Sequence, residues 1–193
     1  MTDYTLQPIP GKTLSRRLPE GTALVLEGGG LRGYYSCGVM EAFMEKDLLF
    51  PYIIGVSAGA ANALSYISGQ PGRSREIIEH YVGNPDYVST RNLLTKHTMF
   101  DFDYIFGTVP EKHIFFDWDK FHEQDTRFLT GAMNCADGKT VWFEKDTLKA
   151  PFMASRASCS VPLITKIQHY MGYDLLDGGI SDPIPIEKSL ADG

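Results

Sequence analysis

The chain has 193 residues, 43% of them hydrophobic, which suits one globular domain with a real core. Its formal net charge of −6 argues against a nucleic-acid partner held through phosphate contacts. Three cysteines, Cys37, Cys135 and Cys159, odd in number and without short spacing, exclude a disulfide framework and a zinc site and fit a reducing compartment such as the cytoplasm.

Residues 1–21 read as a loose N-terminal arm, because Pro8, Pro10 and Pro19 work against regular structure. The arm has no apolar core of a secretory signal, and no stretch of the chain approaches about 20 apolar residues. Lys12, Arg16 and Arg17 are the nearest thing to a basic patch for transient membrane-surface contact, against the plainer reading of a solvated tail. "ALVL", 23–26, is a continuous apolar run suited to a strand buried on both faces. A glycine loop follows. Tyr35, Val39 and Phe43, with Met40 and Met44, then fall at helical spacing. "YIIGV", 52–56, predicts the second strand, and "AGAANALSYISG" a small-residue helix that can sit close to the sheet. The first seventy residues therefore predict a right-handed parallel crossover.

Residues 73–82 predict a further helix, and 84–125 are irregular, aromatic and acidic. "DTRFLTGAMNCADGKTVWFE" predicts a hairpin about a "CADG" turn, and "APFMASRASC" a helix with Pro151 at its start. "ITKIQHYMGYDLLDGG" predicts one or two strands ending at Asp177. "DPIPIEKSLADG" predicts a Pro-started helix, after which an α/β chain normally adds another strand, so the sequence reads as the front part of a longer protein.

Two glycine-rich turns carry the chemistry. Gly28, Gly30 and Gly33 spell G-x-G-x-x-G after the first strand, the form of a dinucleotide-binding loop. That reading requires an acidic residue at the end of the second strand. Val56-Ser57 stand there instead, and Glu45 and Asp47 lie before the strand, so the dinucleotide reading fails its own check. "GVSAG", 55–59, is G-x-S-x-G in the strand–turn–helix setting of a nucleophile elbow, with Gly55 and Gly59 easing the turn around Ser57. The plainer alternative is that Ser57 only caps the helix. Loops at the carboxyl ends of adjacent parallel strands lie side by side. Gly29, Gly30 and Leu31 would then offer N–H groups to an oxyanion formed at Ser57, with Arg32 fixing the loop.

A serine hydroxyl needs a base. His80, His97, His113, His122 and His169 all lack a glycine-flanked loop after a clear strand, and a histidine beyond Gly193 stays open. Asp-Gly occurs at 137–138, 177–178 and 192–193, but only Asp177 ends an apolar run and enters a Gly-Gly loop, Gly178-Gly179. Partial burial there would raise its pKa toward that of a useful base.

"GGGLRG" at 28–33, "GVSAG" at 55–59 and "DGG" at 177–179, with "ASRASCSVP" and "DGGISDPIPIEKSLADG", resemble the patatin-like phospholipases, most of all their bacterial cytosolic branch. The resemblance covers residues 22–193. It implies a three-layer α/β/α sandwich with a mixed, largely parallel central sheet, C-terminally truncated here. It further implies a Ser57–Asp177 dyad without histidine, an oxyanion hole from the backbone of Gly28, Gly29, Gly30, Leu31, Arg32 and Gly33, no metal or organic cofactor, and a lipid or fatty-acyl ester substrate. Two alternatives remain: a Ser–His–Asp esterase, and a silent hydrolase-like scaffold that binds lipid or protein. "DFD" at 101–103 and "DWD" at 117–119 lack an EF-hand pattern and read as solvated turns. Phe100, Phe102, Tyr104, Phe106, Phe115, Phe116, Trp118 and Phe121 would line an acyl channel if they open onto the serine, and otherwise pack an inserted segment.

Overall fold

The structure is a computed structural model that describes residues 8–193. The arm is not loose from Gly11 onward. Lys12 N–H donates to the Gly69 carbonyl at 2.9 Å, Leu14 is 2% exposed, and β1 (Arg16–Arg17) pairs in parallel with a short strand at 48–49. The prolines forbid a helix here but leave enough N–H groups to dock the segment as an extended strap. Residues 1–7 of the expected arm lie outside the described residues. Within the basic patch, Lys12 Nζ donates to the Met44 carbonyl, and Arg17 pairs with Glu20 and Asp125 at 3.0 and 3.1 Å.

The predicted crossover is present. β2 (Ala23–Leu26) leads through a tight turn at Gly30–Gly33 into α1 (Tyr34–Glu45). Then come β3 (Leu48–Leu49), β4 (Tyr52–Val56), α2 (Ala58–Ile67) and α3 (Arg73–His80). β2 and β4 are parallel, in register from Ala23↔Tyr52 to Leu26↔Gly55. All five residues of β4 are buried, as expected of a central strand without a polar face. The aromatic, acidic stretch folds into α4 (Thr90–Lys96), a π-helical segment (Tyr104–His113) and α5 (Trp118–Glu123). Here the sequence has no long apolar period, and local capping does the work. Ser89 accepts the Asn92 N–H, Asp101 accepts the N–H groups of Asp103 and Tyr104, and Asp117 accepts those of Lys120 and Gly11.

β5 (Arg127–Asn134) and β6 (Thr140–Glu144) form the predicted hairpin, and α6 (Met153–Ser158) follows. β7 (Gln168–Tyr170) and β8 (Tyr173–Asp177) form a second hairpin, and α7 (Ile186–Asp192) closes the described chain. Four of the six strands in the main sheet run one way, and β6 and β8 run against them. Strand alternation sorts the core. Ile53 and Phe128 face a large cluster formed with Met40, Met44, Ala63 and Phe121, under α1, α2, α5 and α6. Tyr52, Ile54 and Leu129 face the other side with Val25 and Trp142, where α7 is held through Asp192 to Tyr52 at 2.7 Å. The result is a mixed sheet between two helical layers.

The register against β5 brings the ends of β4 and β8 together. β4 runs parallel to β5 and stops at Val56↔Gly131. β8 runs antiparallel to β5 and stops at Asp177↔Ala132. β6 occupies the opposite edge of β5, so β4 and β8 share one edge and meet end to end. Their last residues are delivered to the same point from opposite directions.

Candidate active site

Ser57 follows the end of β4, with φ 53° and ψ −127°. This is backbone space that a residue with a Cβ rarely occupies, at a cost of about 1–3 kcal/mol. Its hydroxyl does not cap α2, so the capping alternative falls. Instead Oγ donates to Asp177 Oδ2 at 2.7 Å, and the two residues are only 8% and 6% exposed. Asp177 Oδ1 accepts the Gly179 N–H at 2.7 Å, which orients the carboxylate. Burial raises the Asp177 pKa, and the bonds from Ser57 and Gly179 pull it part of the way back.

Close backbone approach explains the flanking glycines. A Cβ on Gly59 would lie 2.5 Å from the Leu26 carbonyl oxygen and 2.6 Å from that of Glu27. A Cβ on Gly178 would lie 2.3 Å from the Gly131 carbonyl oxygen. Only glycine lets α2 start against the end of β2 and lets the chain leave β8 against β5.

Sequence reasoning missed the residue that holds the elbow from beneath. The Ser57 N–H donates to Ser158 Oγ at 2.7 Å, and the Ser158 hydroxyl donates to the Gly131 carbonyl at 2.6 Å. Ser158 is fully buried at the end of α6. Its signal was the small-residue run "ASRASCS", which allows α6 to approach β5. The Asp177 N–H also donates to the Ser160 carbonyl, at 2.8 Å, so one short segment anchors both Ser57 and Asp177.

The glycine loop lies against this pair. A Cβ on Gly28 would come 3.2 Å from Ser57 Cβ. The Gly28 N–H is held by the Pro183 carbonyl at 3.0 Å, and the Arg32 N–H by Gly29 at 3.2 Å. The Gly33 carbonyl accepts from Asn62 Nδ2 on α2 at 3.0 Å, which ties the loop to the helix behind Ser57. Gly30 and Leu31 open the tight turn, so the turn itself has no carbonyl for their N–H groups. Both residues line a cavity of about 200 Å³ that Ser57 also lines. The Arg32 side chain folds back toward Gly29.

The cavity divides the aromatic residues. Phe100, Phe102 and Phe106 line it. Phe116 and Phe121 are fully buried in the main core, and Trp118 packs against it. Tyr104 packs with Tyr81 and His113, and Phe115 is 56% exposed. None of the five histidines lines the cavity. His169 pairs with Asp174, His80 with Glu76, and His122 packs on Trp118. Among the described residues no group of three or more His, Cys, Asp or Glu is placed to hold a metal ion.

The sequence matches the patatin-like phospholipase family over residues 24–189, from the first sheet strand through α7. The chain belongs to this family. YjjU of Escherichia coli K12 is 29% identical over 98% of this chain and 54% of its own length. An NTE family protein of Mycobacterium bovis, Mb1092c, is 27% identical over 85% of this chain and 44% of its own. The chain thus spans about half the length of these curated relatives. Among solved structures, VipD of Legionella pneumophila shares the fold, with a TM-score of 0.54 at 15% identity, covering 94% of this chain and 51% of that one. Two of the three motifs of this patatin-like domain, at 28–33 and 55–59, line one cavity, and the third, at 177–179, is joined to it by the bond from Ser57 to Asp177.

Proposed function

We propose that this patatin-like domain is a serine acyl hydrolase that cleaves carboxylic esters of lipids through Ser57 and Asp177. The observation that carries the reading is the 2.7 Å bond to a buried carboxylate from the hydroxyl of Ser57, which lines an apolar cavity. Asp177 takes the proton as Ser57 Oγ bonds to the ester carbonyl carbon. The carbonyl electrons move onto oxygen, where the Gly30 and Leu31 N–H groups stabilise them. The C–O bond to the alcohol breaks, the alcohol leaves with the proton from Asp177, and an acyl-serine remains. Water then attacks this ester, its proton passing through Asp177 back to Ser57, and the fatty acid leaves. The raised pKa of Asp177 makes it a stronger base than an ordinary aspartate. No step calls for a metal or an organic cofactor.

The mouth of the cavity favours a lipid surface as the source of substrate. Leu31 and Val161 line the cavity and are 57% and 38% exposed, and Tyr35 and Leu163 near them in sequence are 83% and 95% exposed. Among the described residues no helix is long and apolar enough to cross a membrane. The contact proposed is peripheral and transient.

A fluorophosphonate probe tests the reading without knowledge of the substrate. The expected result is a stoichiometric adduct on Ser57, located by mass spectrometry and absent in Ser57→Ala. A chain shown by circular dichroism to be folded, yet unlabelled, would overturn it.

A further inference from the structure

The same cavity holds a charge that the acyl-hydrolase reading does not use. Arg73, the first residue of α3, is 5% exposed and lines the cavity. Nη1 donates to Ser65 Oγ at 3.0 Å, Nη2 reaches the Ile114 carbonyl at 3.4 Å, and the guanidinium lies 5.0 Å from the Phe116 ring centre. Nε–H has no acceptor, and among the described residues Arg73 forms no ion pair. Burial pushes its pKa down to about 10, so it is still a cation at neutral pH. Its place at the N-terminal, positive end of a helix adds to the cost. Arg156 shows the usual arrangement: it is 8% exposed but pairs with Asp103 at 2.6 Å. Breaking such a pair, so that one buried charge stands alone, is strongly destabilising. A buried cation that stands alone beside a cavity leaves an uncompensated charge that an anion entering the cavity would match.

We propose that Arg73, with Ser65, forms an anion subsite in the cavity, and that its ligand is a carboxylate carried on an acyl chain. A guanidinium fork suits a planar carboxylate, and Ser65 Oγ adds a hydroxyl on the same wall. Phe102 and Phe106 supply the apolar wall for the methylenes. The carboxylate has two sources: the far end of a dicarboxylic acyl group whose ester lies at Ser57, or the acid group of a free fatty acid taken up from outside. Only the first source depends on the hydrolase reading above.

Binding to the Ser57→Ala protein separates the subsite from turnover. Calorimetry would compare monomethyl esters of the dicarboxylic acids from succinic to sebacic with methyl esters of the matching monocarboxylic acids. Free hexanoate to decanoate form a second arm. The expected result is binding of the acids about 30-fold or more tighter than the neutral esters, lost in Arg73→Met and partly restored by Arg73→Lys. Tight half-esters assign the distal carboxylate, and tight free acids with weak half-esters assign a free fatty acid. Equal binding of acids and neutral esters, or a preference that survives Arg73→Met, would overturn the subsite. Failure of the fluorophosphonate test alone would overturn the hydrolase reading and leave the carboxylate site standing.

Discussion

Around Ser57 the backbone builds the site. Two strands stop against the same edge of β5, glycines let helices and loops close to within contact distance, and Ser158 ties the elbow to the Gly131 carbonyl. In the cavity wall the backbone stands back. Phenylalanines from the 100–106 segment, tyrosines and Arg73 supply the surface, from short helices held together by capping carboxylates. A junction made of backbone has one geometry, and a small change breaks it. A wall made of side chains has many equivalent solutions, and a small change retunes it.

Asp177→Asn is the sharpest test of the junction. Asparagine keeps an oxygen for the Gly179 N–H but cannot take the serine proton. Hydrolysis of p-nitrophenyl butyrate should fall by about 10⁴-fold, with the far-ultraviolet circular dichroism unchanged. Wild-type rates would show that the carboxylate only positions Ser57. Gly59→Ala should come next. Its methyl group meets two carbonyl oxygens at 2.5 and 2.6 Å, so the start of α2 must move away from β2 and carry Ser57 with it. If Ser57 is displaced by near 1 Å, the proposed reaction should slow by about 10²-fold. The overpacking should lower stability by about 1–3 kcal/mol, read from urea unfolding.

The same contrast explains what the sequence could show. The elbow was legible because its geometry demands particular residues: glycine at 55 and 59, a strand before, a helix after. Asp177 was legible because it alone among the Asp-Gly pairs ends an apolar strand, but its meeting with Ser57 was legible only through the family resemblance and not from the residues themselves. That meeting depends on the register of β4, parallel, and β8, antiparallel, against β5, set by pairings more than 40 residues apart in sequence. Ser158 and Arg73 were not legible. A serine in a small-residue run has many uses, and an arginine at a helix start reads as surface until burial is known. The aromatic residues fell on both sides, three lining the cavity and others filling the core, because composition does not record which way a ring points. The 1–21 arm misled for a related reason. Prolines predict the absence of a helix and say nothing about docking as a strap.

The wall should respond gently. Phe102→Ala removes a ring that lines the cavity without being deeply buried in the core. It should shift the preferred acyl length upward across a p-nitrophenyl ester series and lower the rate on short esters by no more than about 10-fold. Phe115→Ala, at a position 56% exposed and away from the cavity lining, should leave the series unchanged. A loss in Phe102→Ala as large as in Gly59→Ala would erase the distinction between junction and wall.

The smallest effect lies in pH, and it links the junction's chemistry to its stability. Burial lifts the Asp177 pKa above 3.8 in the folded chain, so the folded state holds that proton to higher pH than the unfolded state does. The stability Asp177 contributes as a neutral acid is present at low pH and is lost as pH rises through the folded value. Asparagine is neutral throughout. Asp177→Asn should therefore melt at a higher temperature than wild type at neutral pH, with the gap closing as the pH falls toward 3.8. The acid limb of kcat/KM should also lie above that ordinary value, since the proposed mechanism uses the ionised carboxylate. Because the Ser57 hydroxyl bond lowers the Asp177 pKa, Ser57→Ala should move the carboxyl titration upward, read by carbon NMR of the Asp177 carboxyl. A titration that stays put would mean that the 2.7 Å bond does not favour the ionised carboxylate, and the serine would then enter catalysis without help from its ground-state partner.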